Sequence, residues 1–205
     1  MTLYTARTEF KPSGLVGISD KQIDEHWKLY EGYVKQTNTL KDELKALREA
    51  GKGTELMYAD RRRRLGFEMG GMVGHEYYFA NLKAGVSDSV APEFKKLMAE
   101  KFGNFENWMA DFSATAATRG VGWAVCAYDA TTGDVNNHFI ELHSEGHLPG
   151  FEILAIMDVW EHAFLLDYLP TERAKYIEAF RANINWERLE ERTQKALSQK
   201  ASLRF

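Results

Sequence analysis

Ser19-Asp20-Lys21-Gln22-Ile23-Asp24-Glu25-His26 opens the stretch that decides how the first half of the chain folds. Ser19 and Gln22 have the spacing of a capping box, in which both side chains would satisfy free backbone amides at a helix start. Beyond it, Ile23, His26, Tyr30, Tyr33, Val34 and Thr37 recur at helical intervals, with lysine and glutamate between them. That pattern predicts a helix to about Ala50, stopped by Gly51-Lys52-Gly53. A second helix is expected from about Glu55 to Lys83, where Leu56, Leu65, Met69, Met72, His75, Tyr78 and Leu82 keep the same period. Two long helices joined by a short glycine-containing turn read as an antiparallel hairpin.

After Gly85 the texture changes. Amphipathic helices are expected over Ala91 to Lys101 and Phe105 to Ala117. Strands are expected over Gly120 to Tyr128 and Asn136 to Leu142, with the turn Thr131-Thr132-Gly133-Asp134 between them, and a third over Leu154 to Val159. Helices return from Thr171 to Asn183 and from Trp186 to Lys200. The fold class expected is α+β: an N-terminal helical hairpin (1–88), then an α/β domain (89–205) with a small three-stranded antiparallel sheet.

Bulk properties narrow the function classes. Hydrophobic residues at 44% and charged residues at 27% place the 205-residue chain among globular proteins and argue against disorder. A net charge of −4 argues against a nucleic-acid or acidic-membrane partner. The single cysteine, Cys126, rules out an internal disulfide framework and a cysteine-rich metal site. No apolar run is long enough to span a bilayer, and the first residues lack a secretory h-region, so the expectation is a cytoplasmic protein. Arg61-Arg62-Arg63-Arg64 reads as a solvated helix face.

Six histidines carry most of the chemical interest. His26 and His75 fall on the apolar faces of the two long helices. Either alone reads more readily as a hydrogen-bonded core residue than as a ligand; facing one another on adjacent helices they would make half a metal site. Asp158-Val159-Trp160-Glu161-His162 offers the other half, because an Asp four residues before a His can converge on one ion. The competing reading is a salt bridge at a strand end. Three imidazoles and a carboxylate suit zinc, iron or manganese rather than calcium or magnesium.

Asp158-Val159-Trp160-Glu161-His162-Ala163 resembles the signature of the iron/manganese superoxide dismutases. Gly74-His75-Glu76-Tyr77-Tyr78-Phe79 is similar to that family's second-helix ligand segment, with Gly74 where an Asn commonly stands. Phe102-Gly103-Asn104-Phe105, Gly122-Trp123-Ala124 and Asn185-Trp186 fall in family order, so the resemblance runs from about Ser19 to Trp186. It implies one iron or manganese per subunit, held by His26, His75, Asp158 and His162, with a fifth position for solvent. The metal would cycle between its +3 and +2 states, converting superoxide to oxygen and hydrogen peroxide.

The resemblance also assigns surrounding residues. Members place a Gln or His against the bound solvent; with Gly71 four residues before His75, His143 is the candidate and His147 its local competitor. Trp123 and Trp160 match an aromatic wall. Arg173 matches an arginine near the substrate channel, against the local reading of an ion pair with Glu172 or Asp167. Glu161 would reach His162 of the partner subunit in a homodimer or dimer of dimers.

Two segments depart from the family pattern. The usual His and Tyr, four and eight residues after the first ligand, are replaced by Tyr30 and Tyr33. Tyr33 is favoured as the channel tyrosine because Val34 follows it. Phe164 and Leu165 replace the usual tyrosines after His162. The rival readings are a metal-binding relative with weak or lost activity and, without the resemblance, a zinc hydrolase, for which no general base is evident.

Overall fold

The structure, a computed structural model, describes residues 3–198. Its first half is the expected hairpin, with α1 at Asp20–Glu49 and α2 at Leu56–Ala80. Ser19 Oγ accepts the Gln22 amide N–H at 3.0 Å, which satisfies one free donor of the first turn. The other half of the expected capping box does not form. The Gln22 side chain reaches instead across the molecule, donating to the His162 carbonyl at 2.7 Å and accepting the Leu166 N–H at 3.0 Å. α1 remains a regular α-helix past His26, Tyr30 and Tyr33, so Ile23, His26, Trp27, Tyr30 and Val34 form one buried stripe. Gly51, at φ +69°, turns the chain out of the helix.

α2 ends three residues before the expected Lys83, because its last carbonyls and amides find other partners. Leu82 bridges to Ile184, the Lys83 N–H donates to Asn183 O at 2.8 Å, and the Asn185 N–H donates to Asn81 O at 2.7 Å. Asn81 Nδ2 also donates to the Ile156 carbonyl at 2.9 Å, which ties the end of α2 to the sheet.

α3 (Pro92–Phe102) and α4 (Phe105–Ala116) precede a sheet of three antiparallel strands, β1 (Trp123–Asp129), β2 (Asp134–Ile140) and β3 (Phe151–Asp158), in the order β2-β1-β3. β1 begins three residues later than expected, since Gly120 and Gly122 have positive φ values that break the ladder. β3 begins three residues earlier than expected. α5 (Arg173–Ala182) and α6 (Trp186–Ser198) complete the fold, and the expected end at Lys200 lies outside the described residues. Among the described residues no helix is long and apolar enough to cross a membrane.

The sheet packs one face on α3 and α4. There Phe94 meets Trp108 edge-on at 4.8 Å, both fully buried, and each such side chain contributes about 1.5–3 kcal/mol by leaving water. Cys126 is sealed beside Met98, and burial pushes its thiol up to about 12, so it stays protonated and unreactive. The register sets Trp123 opposite Ile140 on one side and Asp158 on the other. The end of the central strand therefore places an indole beside the carboxylate.

The loop after β2 lies directly on α2. A Cβ on Gly70 would stand 1.8 Å from the His143 carbonyl oxygen, so only glycine lets the loop approach. Gly66, one turn earlier, faces open solvent. The two sites give opposite expected outcomes in urea unfolding. Gly66→Ala should stabilise by up to about 1 kcal/mol through helix propensity. Gly70→Ala carries the same propensity gain but should destabilise by about 1–3 kcal/mol, because the backbone contact cannot be relieved by turning a side chain.

Candidate metal centre

Asp158 is the last residue of β3 and is fully buried. Its Oδ1 accepts the Trp160 N–H at 2.8 Å, and its backbone carbonyl accepts the Tyr176 hydroxyl at 2.7 Å. Its Oδ2 faces three imidazoles: His26 Nε2 at 3.1 Å, His162 Nε2 at 3.2 Å and His75 Nε2 at 3.6 Å. These come from α1, from a one-turn 3₁₀ segment (Glu161–Ala163) and from α2. Gln22, by holding the His162 carbonyl and the Leu166 amide, fixes that segment against α1.

The donor set fits a first-row cation. One donor atom from each of the four residues lies within 4.8 Å of the others. Imidazole nitrogens and carboxylate oxygens bind such ions at about 2.0–2.2 Å, which puts opposed donors about 4 Å apart. His75 gives the sharper test. Its Nδ1 lies 2.6 Å from the Gly71 carbonyl, and a carbonyl only accepts, so Nδ1 carries the proton. Nε2 of the neutral ring is then a bare lone pair, buried and without a hydrogen-bond partner. An unmet acceptor aimed at a carboxylate calls for a cation between them.

The electrostatics agree. Burial lowers the pKa of His26 and carries His75 well below the ordinary histidine value, so both rings are neutral and able to ligate. Burial would raise the Asp158 carboxyl, but electrostatic attraction and hydrogen bonding from the His162 and His26 rings together outweigh it and hold Asp158 ionised below the usual carboxylate range.

His143 and Tyr33 adjoin the donors. Trp123 Nε1–H donates to His143 Nδ1 at 3.1 Å, so the neutral ring carries its proton on Nε2 and donates to the Tyr33 oxygen at 2.8 Å. Burial pushes His143 down to about 4 and Tyr33 up to about 12, with the charge of Asp158 adding to the latter. Gly71 makes room for the Tyr33 ring, since a Cβ there would lie 2.7 Å from it. A Cβ on Gly74 would likewise lie 2.9 Å from the Trp123 ring, so a larger residue there would displace the indole. His147 does not face the donors; its Nε2–H supports His143 from behind, on the carbonyl, at 2.7 Å.

The other expected residues separate into two groups. Trp123 stands edge-on to His75 at 5.1 Å and Trp160 stacks on His162 at 5.8 Å. Arg173 forms neither of the local ion pairs considered. Its Nη1 donates to the Gly120 carbonyl at 2.8 Å, while Nε and Nη2 are buried without partners. Tyr30 turns away from the donors, donating to Glu76 Oε1 at 3.1 Å and accepting the Arg7 N–H at 2.9 Å. Glu161 and Leu165 lie on the surface. The arginine run is partly neutralised in place, with Arg61 on Glu43 and Arg64 on Glu68. Gln22 and Tyr176 also support the donors, and no motif in the sequence marks either as doing so. Gln22 had one signal, a polar residue one turn before His26 on the apolar stripe.

The pattern of the family described as iron/manganese superoxide dismutases, C-terminal domain, matches residues 90–192. The chain is 35% identical over 188 residues to the manganese superoxide dismutase of Nocardia asteroides, covering 90% of this chain and 89% of the relative. It is 34% identical to an iron superoxide dismutase of Methanothermobacter thermautotrophicus over 85% of this chain and 86% of the relative. It is 32% identical to that of Aquifex aeolicus over 93% and 91%.

Cation binding requires neutral rings and an ionised carboxylate. Because burial depresses His26 and His75 from their ordinary 6.5, these two rings should stay neutral as pH falls through that value. Imidazole resonances of the two rings in metal-free protein, followed by NMR through the neutral and mildly acidic range, should titrate with midpoints below 6.5. A midpoint at 6.5 or higher for either ring would contradict this account.

Proposed function

The chain belongs to the iron/manganese superoxide dismutase family, and we propose on that basis that it removes superoxide at the centre built by His26, His75, Asp158 and His162. The reaction converts superoxide and protons to oxygen and hydrogen peroxide. One observation carries the assignment of the centre: three imidazole nitrogens converge on a single oxygen of a fully buried carboxylate. We read one iron or manganese per subunit there. Such an ion supplies a one-electron couple between its +3 and +2 states, which zinc lacks.

The chain's own residues supply the rest. Asp158 contributes a fixed negative charge, while burial keeps the His26 and His75 rings neutral and ready to ligate. The rings of Trp123, Trp160 and Tyr33 close around the donors and exclude bulk water. Arg173, with two buried N–H groups unpaired, draws a small anion inward against the net charge of the protein. At Tyr33 the high pKa retains the phenolic proton, and His143 already donates to the phenolic oxygen. The Tyr33 O–H is therefore free to donate to an oxygen atom in the site. Trp123 fixes the His143 tautomer that makes this possible.

A homodimer is supported by apolar surface beside the metal loop, where Leu165, Leu166 and Leu169 are 42%, 51% and 64% exposed. By the family resemblance Glu161, exposed on the same segment, would reach His162 of the partner subunit. Tyr30 takes no part in such a contact, being held inside its own chain by Glu76 and Arg7. We further propose that the hairpin (1–88) and the α/β part (89–205) act as two domains with the centre between them, and that the setting is cytoplasmic and antioxidant. The named dismutases among the relatives do not favour a merely metal-binding role.

Protein loaded separately with iron and with manganese is expected to remove superoxide with at least one of them. His26→Ala should lose both metal and activity. Wild-type activity no better than that of His26→Ala with either metal would sink the reading.

A further inference from the structure

The four donor residues are not held equally well. His26, His75 and Asp158 are fully buried and belong to regular elements, α1, α2 and β3. The His162 side chain keeps 21% of its surface exposed and rides on the one-turn segment Glu161–Ala163. A single 3₁₀ turn has few hydrogen bonds of its own, and those are poorly aligned. Its anchorage has to come from elsewhere.

Gln22 supplies it. The side chain is buried and lies one turn before His26 on α1. Its Nε2 donates to the His162 carbonyl and its Oε1 accepts the Leu166 N–H, so one planar amide grips both sides of the turn. That grip needs a donor and an acceptor at the end of one side chain. Glutamate offers only acceptors, and methionine offers no donor. Two further bonds join the same stretches, from the Ser19 N–H to Asp167 Oδ2 at 2.7 Å and from the Tyr168 hydroxyl to the Gly17 carbonyl. Both are exposed, and neither touches His162.

α1 therefore holds two donors, His26 directly and His162 through the Gln22 amide. The two imidazoles stand 4.9 Å apart between ring centroids. We propose that Gln22 is a positioning residue for the centre: it fixes His162 relative to His26, and so sets how tightly the ion is retained and the symmetry of its ligand field. This rests on the reading of the four residues as one iron or manganese site. Loss of an outer hydrogen bond that orients a ligand weakens metal binding about 10–100-fold.

The test uses the full chain loaded with one ion at a time. Gln22→Met fills the same space and loses the donor. In competition with a chelator it should bind manganese at least about tenfold more weakly than wild type. Gln22→Glu keeps an acceptor for the Leu166 amide and loses the bond to His162, and it should weaken binding as well. In a His162→Ala background, where no imidazole remains to be positioned, Gln22→Met should cost no further affinity. The ferric EPR spectrum of iron-loaded Gln22→Met, which reports ligand-field symmetry, should differ from wild type. Leu44→Ala, at a buried position further along α1, controls for lost stability alone and should leave that spectrum unchanged. Wild-type affinity in either Gln22 variant, an unchanged spectrum, or an equal loss with and without His162 would overturn the proposal. Wild-type protein that takes up neither ion would overturn the centre itself, and this role for Gln22 with it. Dismutase activity enters none of these readouts.

Discussion

A single carboxylate oxygen, Asp158 Oδ2, sits in the interior with three imidazole nitrogens around it, and the rest of the molecule is arranged to keep it there. A charge taken out of water costs several kcal/mol even after the protein relaxes around it. Here the cost is met by direct partners: the Trp160 amide on Oδ1, the two histidines that favour ionisation, and the cation that the bare His75 nitrogen calls for. Each partner belongs to a different element. Assembling them requires α1, α2, β3 and the turn after it to meet at one point, so folding and construction of the site are the same event.

The second constraint is distance between α2 and what packs on it. Gly70 admits the His143 carbonyl and Gly71 admits the Tyr33 ring. Each glycine costs the helix about 1 kcal/mol in propensity relative to alanine. The return is a chain of hydrogen bonds from the Trp123 indole through His143 to the Tyr33 hydroxyl, oriented in one direction because an indole only donates. Burial keeps both titratable members uncharged over the physiological range. The polarity of the chain therefore does not depend on pH near neutrality.

Away from the centre the chain solves its local problems differently from what family habit implied. Tyr30, in place of a histidine, is bonded to Glu76 and to the Arg7 amide. It pins the N-terminal segment to both helices of the hairpin and contributes to its own subunit rather than to a neighbour. Gln22 does similar work at a longer range, joining the first turn of α1 to the segment that carries His162.

Much of this was legible beforehand. Period and punctuation located both long helices, because an amphipathic stripe and a stopping glycine are local properties of the chain. The candidate donor quartet is half visible from spacing, and the resemblance of the Asp158 to Ala163 segment to a known signature names all four. Strand ends were displaced by up to three residues, since pairing partners and positive-φ glycines set them. By itself the sequence determined the helical hairpin, the donor types and the Asp158–His162 spacing, all of which depend on neighbours within a turn or two. Only the tertiary structure decided that Gln22 leaves its capping box, that His143 rather than His147 meets Tyr33, and that Tyr30 turns away. Those choices hang on hydrogen-bond partners up to 144 residues distant, which no local pattern encodes.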